Sequence, residues 1–175
     1  MFFIEENKVY QIDCSAALGA TDQWHSIKDN ISKLLSDVDW IVEVEQAVYL
    51  VEYKNANIPG ATNPGAFKPL SPGLLDKLTK KYLDTLHYLN AMGIAKPRKY
   101  VCILEYPKAD SVSQNLVRNA IKGRLNYLQN RLGAHLPLVQ DVDVVNIDAW
   151  NKHAEYGRFP LSRCISPPPS PASPV

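Results

Sequence analysis

The chain has 175 residues, 46 % of them hydrophobic and 21 % charged, with a formal net charge of +1. These are the proportions of a soluble globular protein of one domain, long enough for a sizeable core. A charge so near neutral restricts any nucleic-acid contact to a local patch. Three cysteines without a CxxC pair, Cys14, Cys102 and Cys164, exclude a zinc ribbon or a disulfide framework and suit a reducing compartment.

No stretch approaches the roughly 18 apolar residues of a membrane span. The opening MFFIEENKVY carries acids where a signal peptide needs a basic start. The expectation is a cytoplasmic protein without membrane contact. Residues 2–12 suggest a short hairpin turning near Glu6 and Asn7. Thr21 or Asp22 can cap a helix over about 23–35, where Trp24, Ile27, Ile31, Leu34 and Leu35 recur at helical spacing. Strands follow near 38–44 and 48–54. Residues 55–72 hold four prolines and two glycines, a loop of a length that is often functional.

Pro72 and Gly73 begin a helix over 73–91, striped by Leu74, Leu75, Leu78, Tyr82, Leu86 and Leu89 and stopped by Gly93. KYVCILEYP, 99–107, is the near-continuous apolar run of a strand covered on both faces. A further helix spans 111–132, with Val117, Ile121, Leu125, Leu128 and Leu132 inward and Gly133 following it, and VDVVNIDAW, 142–150, is the last predicted strand. Asp141, Asp143 and Asp148 flank it as turn and edge residues. One α/β domain over 1–163 with a mixed sheet is expected. The proline- and serine-rich tail, 164–175, is expected to be flexible, and its PxxP spacings from Pro168 to Pro171 and Pro171 to Pro174 are those of a polyproline ligand for a partner protein.

The stretch DVDWIVEVEQAVYLVEYKN, 37–55, places charges where apolar strands end, and buried charges are costly unless paired or bound to metal. With Gln46 and Ala47 as a two-residue turn, residue 39 faces 54 and 41 faces 52. Asp39, Ile41 and Glu43 then share a face with Leu50, Glu52 and Lys54, and Asp39 lies diagonal to Glu52. A slip of one residue would separate them. Two carboxylates suit Mg²⁺ or Mn²⁺, with water and substrate phosphate completing the shell. The Tyr53 carbonyl is a candidate third oxygen. A bound cation lowers the pKa of its water, and Lys54 is placed to stabilise phosphoryl charge. The plainer alternative is an edge hairpin with solvated charges.

Asp39 followed by Glu52-Tyr53-Lys54 resembles the signature of the PD-(D/E)xK nuclease superfamily, the restriction-endonuclease-like fold. Its common core is helix, three strands, helix, strand. VEYKNANIPGA and VVNIDAWNKHAEYGRFPLSR are also similar to uncharacterised bacterial members. The resemblance implies a restriction-endonuclease-like core with helices on both sheet faces and metal-dependent hydrolysis of nucleic acid, DNA ahead of RNA. It also implies metal ligation by Asp39 and Glu52, catalysis assisted by Lys54, and a homodimer as in many nucleases of this type. Two departures stand out. Val38 precedes the motif aspartate in place of proline, and the first helix lacks the glutamate of many active members. That leaves Asp29 and Glu43 as candidates for the additional acid.

Arg118, Lys122 and Arg124 on the 111–132 helix are candidate phosphate contacts, as are the lysine cluster Lys77, Lys80 and Lys81 and the trio Lys96, Arg98 and Lys99. Three functions are therefore in view: a metal-dependent nuclease; a catalytically inactive nuclease-fold module that binds nucleic acid or protein; and an interaction protein recruited through the proline tail.

Overall fold

The computed structural model describes residues 1–22, 35–58, 61, 64–107, 109–133 and 137–164. The expected helix over 23–35, with Asp29, falls almost wholly outside the described residues, as does the tail 165–175. The described residues form an α/β structure with two sheets. Strands β1 (Phe2–Ile4) and β2 (Tyr10–Asp13) make the expected N-terminal hairpin, and β8 (Leu161–Arg163) joins β2 to complete an antiparallel three-stranded sheet. The larger sheet contains β3 (Gly19–Thr21), β4 (Trp40–Glu43), β5 (Val48–Asn55), β6 (Arg98–Glu105) and β7 (Asp141–Val145), in that order across it. The pairs β3–β4 and β4–β5 are antiparallel, and β5–β6 and β6–β7 are parallel, so the sheet is mixed.

Two long helices make the parallel crossovers. Helix α1 (Pro72–Ala91) starts with proline at its first turn and ends at Gly93, whose φ of 72° is the left-handed stop expected there. Helix α2 (Ser111–Leu132) begins with a reciprocal cap. The Ser113 N–H donates to Asp110 Oδ1 at 2.6 Å, and the Asp110 N–H donates to Ser113 Oγ at 3.1 Å. Both helices pack on one face of the sheet. Leu78, Tyr82, Leu89, Val117, Ile121 and Leu125 meet Leu50, Tyr100, Cys102 and Leu104, all buried, whereas Leu132, expected to face inward, is exposed in the last turn of α2.

The opposite face is covered differently from the expectation of helices on both sides. The segment read as one strand over 142–150 ends at Val145. Asn146 then accepts the Ala149 N–H at 2.7 Å and caps α3 (Ile147–Lys152), a helix of six residues. This short helix, the 3-10 turn Tyr156–Arg158 and the small sheet bury Trp150, Tyr156, Phe159 and Ile12 against Trp40, Val42, Val51, Val101 and Ile103. The sequence hid this change because Ile147, Ala149 and Trp150 continue the apolar run of β7. No helix among the described residues is long and apolar enough to cross a membrane.

Cys14 and Cys102 are buried in these two layers, and Cys164 is half-buried. Burial, helped by the neighbouring Asp13 charge, pushes the Cys14 thiol up to about 12. A disulfide reagent at about pH 8, near the ordinary thiol pKa, should therefore modify one of the three cysteines in the native protein and all three in denaturant. Rapid modification of Cys14 or Cys102 under native conditions would contradict this packing.

Candidate functional site

The β4–β5 hairpin carries the charged residues, and its register differs from the expected one. Glu43 pairs with Val48, Ile41 with Leu50 and Trp40 with Val51. The turn lies one residue earlier than expected: the Val44 N–H donates to the Ala47 carbonyl at 2.9 Å, which leaves Glu45 and Gln46 between the strands. Gln46 and Ala47 carry no chemistry that enforces a tight two-residue turn at their own position. The slip is of two residues, so alternation keeps Asp39, Glu52 and Lys54 on one face. Continuing the register places Asp39 directly opposite Glu52 instead of Lys54. The two carboxylates are thus brought closer together than the sequence reading had them.

Several contacts hold Asp39 just before β4. Its Oδ2 accepts the Tyr53 N–H at 2.7 Å, bridging to β5. Upstream, the Val38 N–H donates to Thr85 Oγ1 at 3.1 Å and the Ser36 N–H to Asp84 Oδ2 at 2.6 Å. Helix α1 therefore anchors the approach to Asp39. Glu52 lies on the helix-facing side of β5, paired across to Cys102 of β6, and its side chain has no solvent exposure.

Lys54 Nζ is 2.8 Å from Glu52 Oε1 and 3.9 Å from Asp39 Oδ2, and it donates to the Tyr53 carbonyl at 3.1 Å. A second ammonium arrives from α1: Lys81 Nζ is 2.8 Å from Glu52 Oε2 and 3.5 Å from Asp39 Oδ1. Burial and the Asp39 charge push the Glu52 pKa up, opposed by the two lysines. Burial works against the Lys54 ammonium, yet the Glu52 and Asp39 carboxylates outweigh it and hold its pKa above the ordinary value.

Lys81 is the site residue that the sequence reading missed. It was grouped with Lys77 and Lys80 as a basic surface cluster. The signal was available: Lys81 stands three residues after Leu78 and four before Thr85, both buried on the inward stripe of α1. A lysine at such a position needs a carboxylate partner.

A cleft of about 780 Å³ is lined by three of this quartet, Asp39, Lys54 and Lys81, and walled by the β1–β2 turn at Glu5 and Glu6, by Asp22, and by Trp40, Tyr53 and Lys77. Glu5 is committed to that turn, accepting the Asn7 N–H at 2.7 Å and the Val9 N–H at 2.6 Å. Lys54 and Asn55 also border a second hollow, of about 370 Å³, beside Ala56, Pro64 and Phe67 of the proline-rich loop.

The other candidates lie elsewhere. Glu43 is at the far end of β4, about 13 Å along the strand from Asp39, and its Oε1 pairs with Lys96 Nζ at 2.7 Å. It is not part of the quartet. Arg118, Lys122 and Arg124 are on α2, outside the cleft wall, and each has a carboxylate partner: Asp143 at 3.9 Å, Asp141 at 3.2 Å and Asp76 at 3.0 Å respectively. The acidic residues of β7 offset the basic face that the sequence suggested.

The quartet offers a divalent cation two carboxylates and the Tyr53 carbonyl. No group of three or more His, Cys, Asp or Glu side chains converges among the described residues. A metal here would therefore rely on two carboxylates, with water and phosphate oxygens completing its shell, a usual arrangement for Mg²⁺. The donors fit in one further respect. Glu52 Oε1 is fully buried, and its contact with Lys54 lacks the alignment of a hydrogen bond. That oxygen retains acceptor capacity. Compared with known proteins, the chain matches no family model, no curated protein and no solved structure.

Proposed function

We propose that this chain is a metal-dependent nuclease with a restriction-endonuclease-like core, acting on nucleic-acid phosphodiester bonds, DNA ahead of RNA. The observation that carries the reading is the convergence of Asp39, Glu52 and Lys54 across the β4–β5 hairpin, with Asp39 and Lys54 lining a solvent-open cleft and Glu52 fully buried beside them. The order β3–β4–β5, then α1, then β6 supports it as well, since three strands, a helix and a strand is the core that the motif's superfamily uses.

In this reading Asp39 and Glu52 hold Mg²⁺ or Mn²⁺, with the Tyr53 carbonyl beside them. When bound, such a cation would supply charge to the phosphate oxygens and lower the pKa of a nucleophilic water. Asp39 is itself positioned by the Tyr53 N–H, so the strand pairing and the ligand geometry are one structure. Lys54, steadied by the Tyr53 carbonyl, reaches toward the cleft to stabilise negative charge on the transferring phosphoryl group. Substrate approaches through the cleft; the α2 basic residues, already ion-paired, serve at most as outer contacts.

A second reading has its own observation. Two lysines already neutralise the two carboxylates, which suits a nuclease fold retained for binding without catalysis. The test is cleavage of single- and double-stranded DNA and RNA in Mg²⁺, Mn²⁺ or EDTA, with filter binding in parallel. A nuclease cleaves only with metal, and Lys54→Ala lowers its rate at least about 10²-fold, as loss of one charge-stabilising donor does. Binding in EDTA without cleavage in either metal would favour the non-catalytic module.

A further inference from the structure

Lys81 occupies the position that a metal ion would take. Its Nζ lies between Glu52 Oε2 at 2.8 Å and Asp39 Oδ1 at 3.5 Å, with its side chain 10 % exposed. Lys54 meets the other oxygen of each carboxylate, at 2.8 Å and 3.9 Å. Every carboxylate oxygen of the pair thus has an ammonium within 4.0 Å. Two negative and two positive charges leave the quartet neutral without metal. A divalent cation added to it would stand beside two ammoniums, at a Glu52 that water does not reach, where like charges are poorly screened.

The geometry points to Lys81 as a built-in counter-ion that competes with the metal until a phosphodiester in the cleft draws its ammonium away. Metal and nucleic acid then bind with positive coupling, and by linkage each favours the other equally. This inference rests on the nuclease reading of the site. Two features support it. The ammonium sits on an unbranched four-carbon stem that can swing without moving the helix. Lys77, one turn earlier on α1, lines the same cleft, so a phosphate there meets a second cation from the same helix. Lys54 is less suited to the role, because its ammonium is also held by the Tyr53 carbonyl.

The experiment is calorimetric titration of Mn²⁺ into wild type and Lys81→Met, each alone and with a phosphorothioate oligodeoxynucleotide that resists cleavage. Without the oligonucleotide, Lys81→Met should bind Mn²⁺ about tenfold more tightly than wild type; with it, wild type should gain about tenfold and Lys81→Met much less. Equal Mn²⁺ affinity in the two proteins, or a wild-type affinity unchanged by the oligonucleotide, overturns the inference. If Lys81→Met does not fold, Lys81→Gln takes its place, and the two wild-type titrations still decide the coupling. Wild type that binds Mn²⁺ with Lys81→Met unchanged defeats the counter-ion role alone. Absence of Mn²⁺ binding in every protein, with and without oligonucleotide, defeats the metal-site reading together with it.

Discussion

Glu52→Gln is expected to abolish metal-dependent cleavage while leaving the protein folded. The amide keeps the shape of the side chain and an oxygen that can accept from one ammonium, so β5 remains paired to β6 through the Glu52–Cys102 position. What is lost is the negative charge opposite Asp39. A single remaining carboxylate would then face Lys54 and Lys81, leaving the site net positive and unattractive to a second cation. Metal assistance supplies several kcal/mol of transition-state charge stabilisation, so the rate should fall by about three orders of magnitude or more. Circular dichroism and the urea midpoint separate this from misfolding. Cleavage persisting at even a tenth of the wild-type rate would remove Glu52 from the metal's ligands.

The largest effect on stability is expected from Trp150→Ala. Trp150 is completely buried. Its indole N–H donates to the Phe159 carbonyl at 2.7 Å, and its ring stacks on Tyr156 at a centroid distance of 5.1 Å. It joins α3 and the 3-10 turn to Val101 and Ile103 on the face of β6 opposite the helices. Removing the ring should cost about 3–5 kcal/mol, with about 1 kcal/mol more from the Phe159 carbonyl left without its donor. Trp150→Phe keeps most of the packing and should lose about 1–2 kcal/mol. A urea titration reads both. A loss below about 1 kcal/mol for Trp150→Ala would mean that α3 does not clamp this face as the contacts indicate. The variant leaves the quartet's own contacts in place, so the molecules that remain folded should keep their metal response.

Where apolar patterning was dense, the fold was legible in the sequence. The stripe from Leu75 to Leu89 marked α1 almost to the residue, and Gly93 and Gly133 marked the two helix ends. The continuous run from Tyr100 to Leu104 marked β6 as covered on both faces. Short elements left no comparable trace. β3 is three residues, Gly19 to Thr21, and β8 is three residues, Leu161 to Arg163; each exists because a neighbouring strand offers an edge, which is a tertiary fact. The strand read through Trp150 failed for a local reason, the Asn146 cap.

The candidate site was legible through alternation, which survives a slip of two residues. That is why Asp39, Glu52 and Lys54 meet although the turn lies one residue earlier than expected. Lys81 was not recognised because its neighbours in sequence, Lys77 and Lys80, gave it the look of a solvated face. Lys80 does pair with Asp84 at the surface; Lys81, one residue on, turns inward to Glu52. The α2 basic face misled for the converse reason: its partners Asp141 and Asp143 lie on β7, distant in sequence, and only strand order brings them beside α2.

The most direct measurement of the central claim is the thermal midpoint of wild type and Glu52→Gln as Mn²⁺ is raised through the millimolar range. A ligand that binds only the folded state must raise the midpoint as its concentration passes the dissociation constant. The midpoint of wild type should climb with Mn²⁺ and that of Glu52→Gln should stay level. An equal rise in both proteins, or no rise in either even with the cleavage-resistant oligonucleotide present, would contradict a metal site built on Asp39 and Glu52.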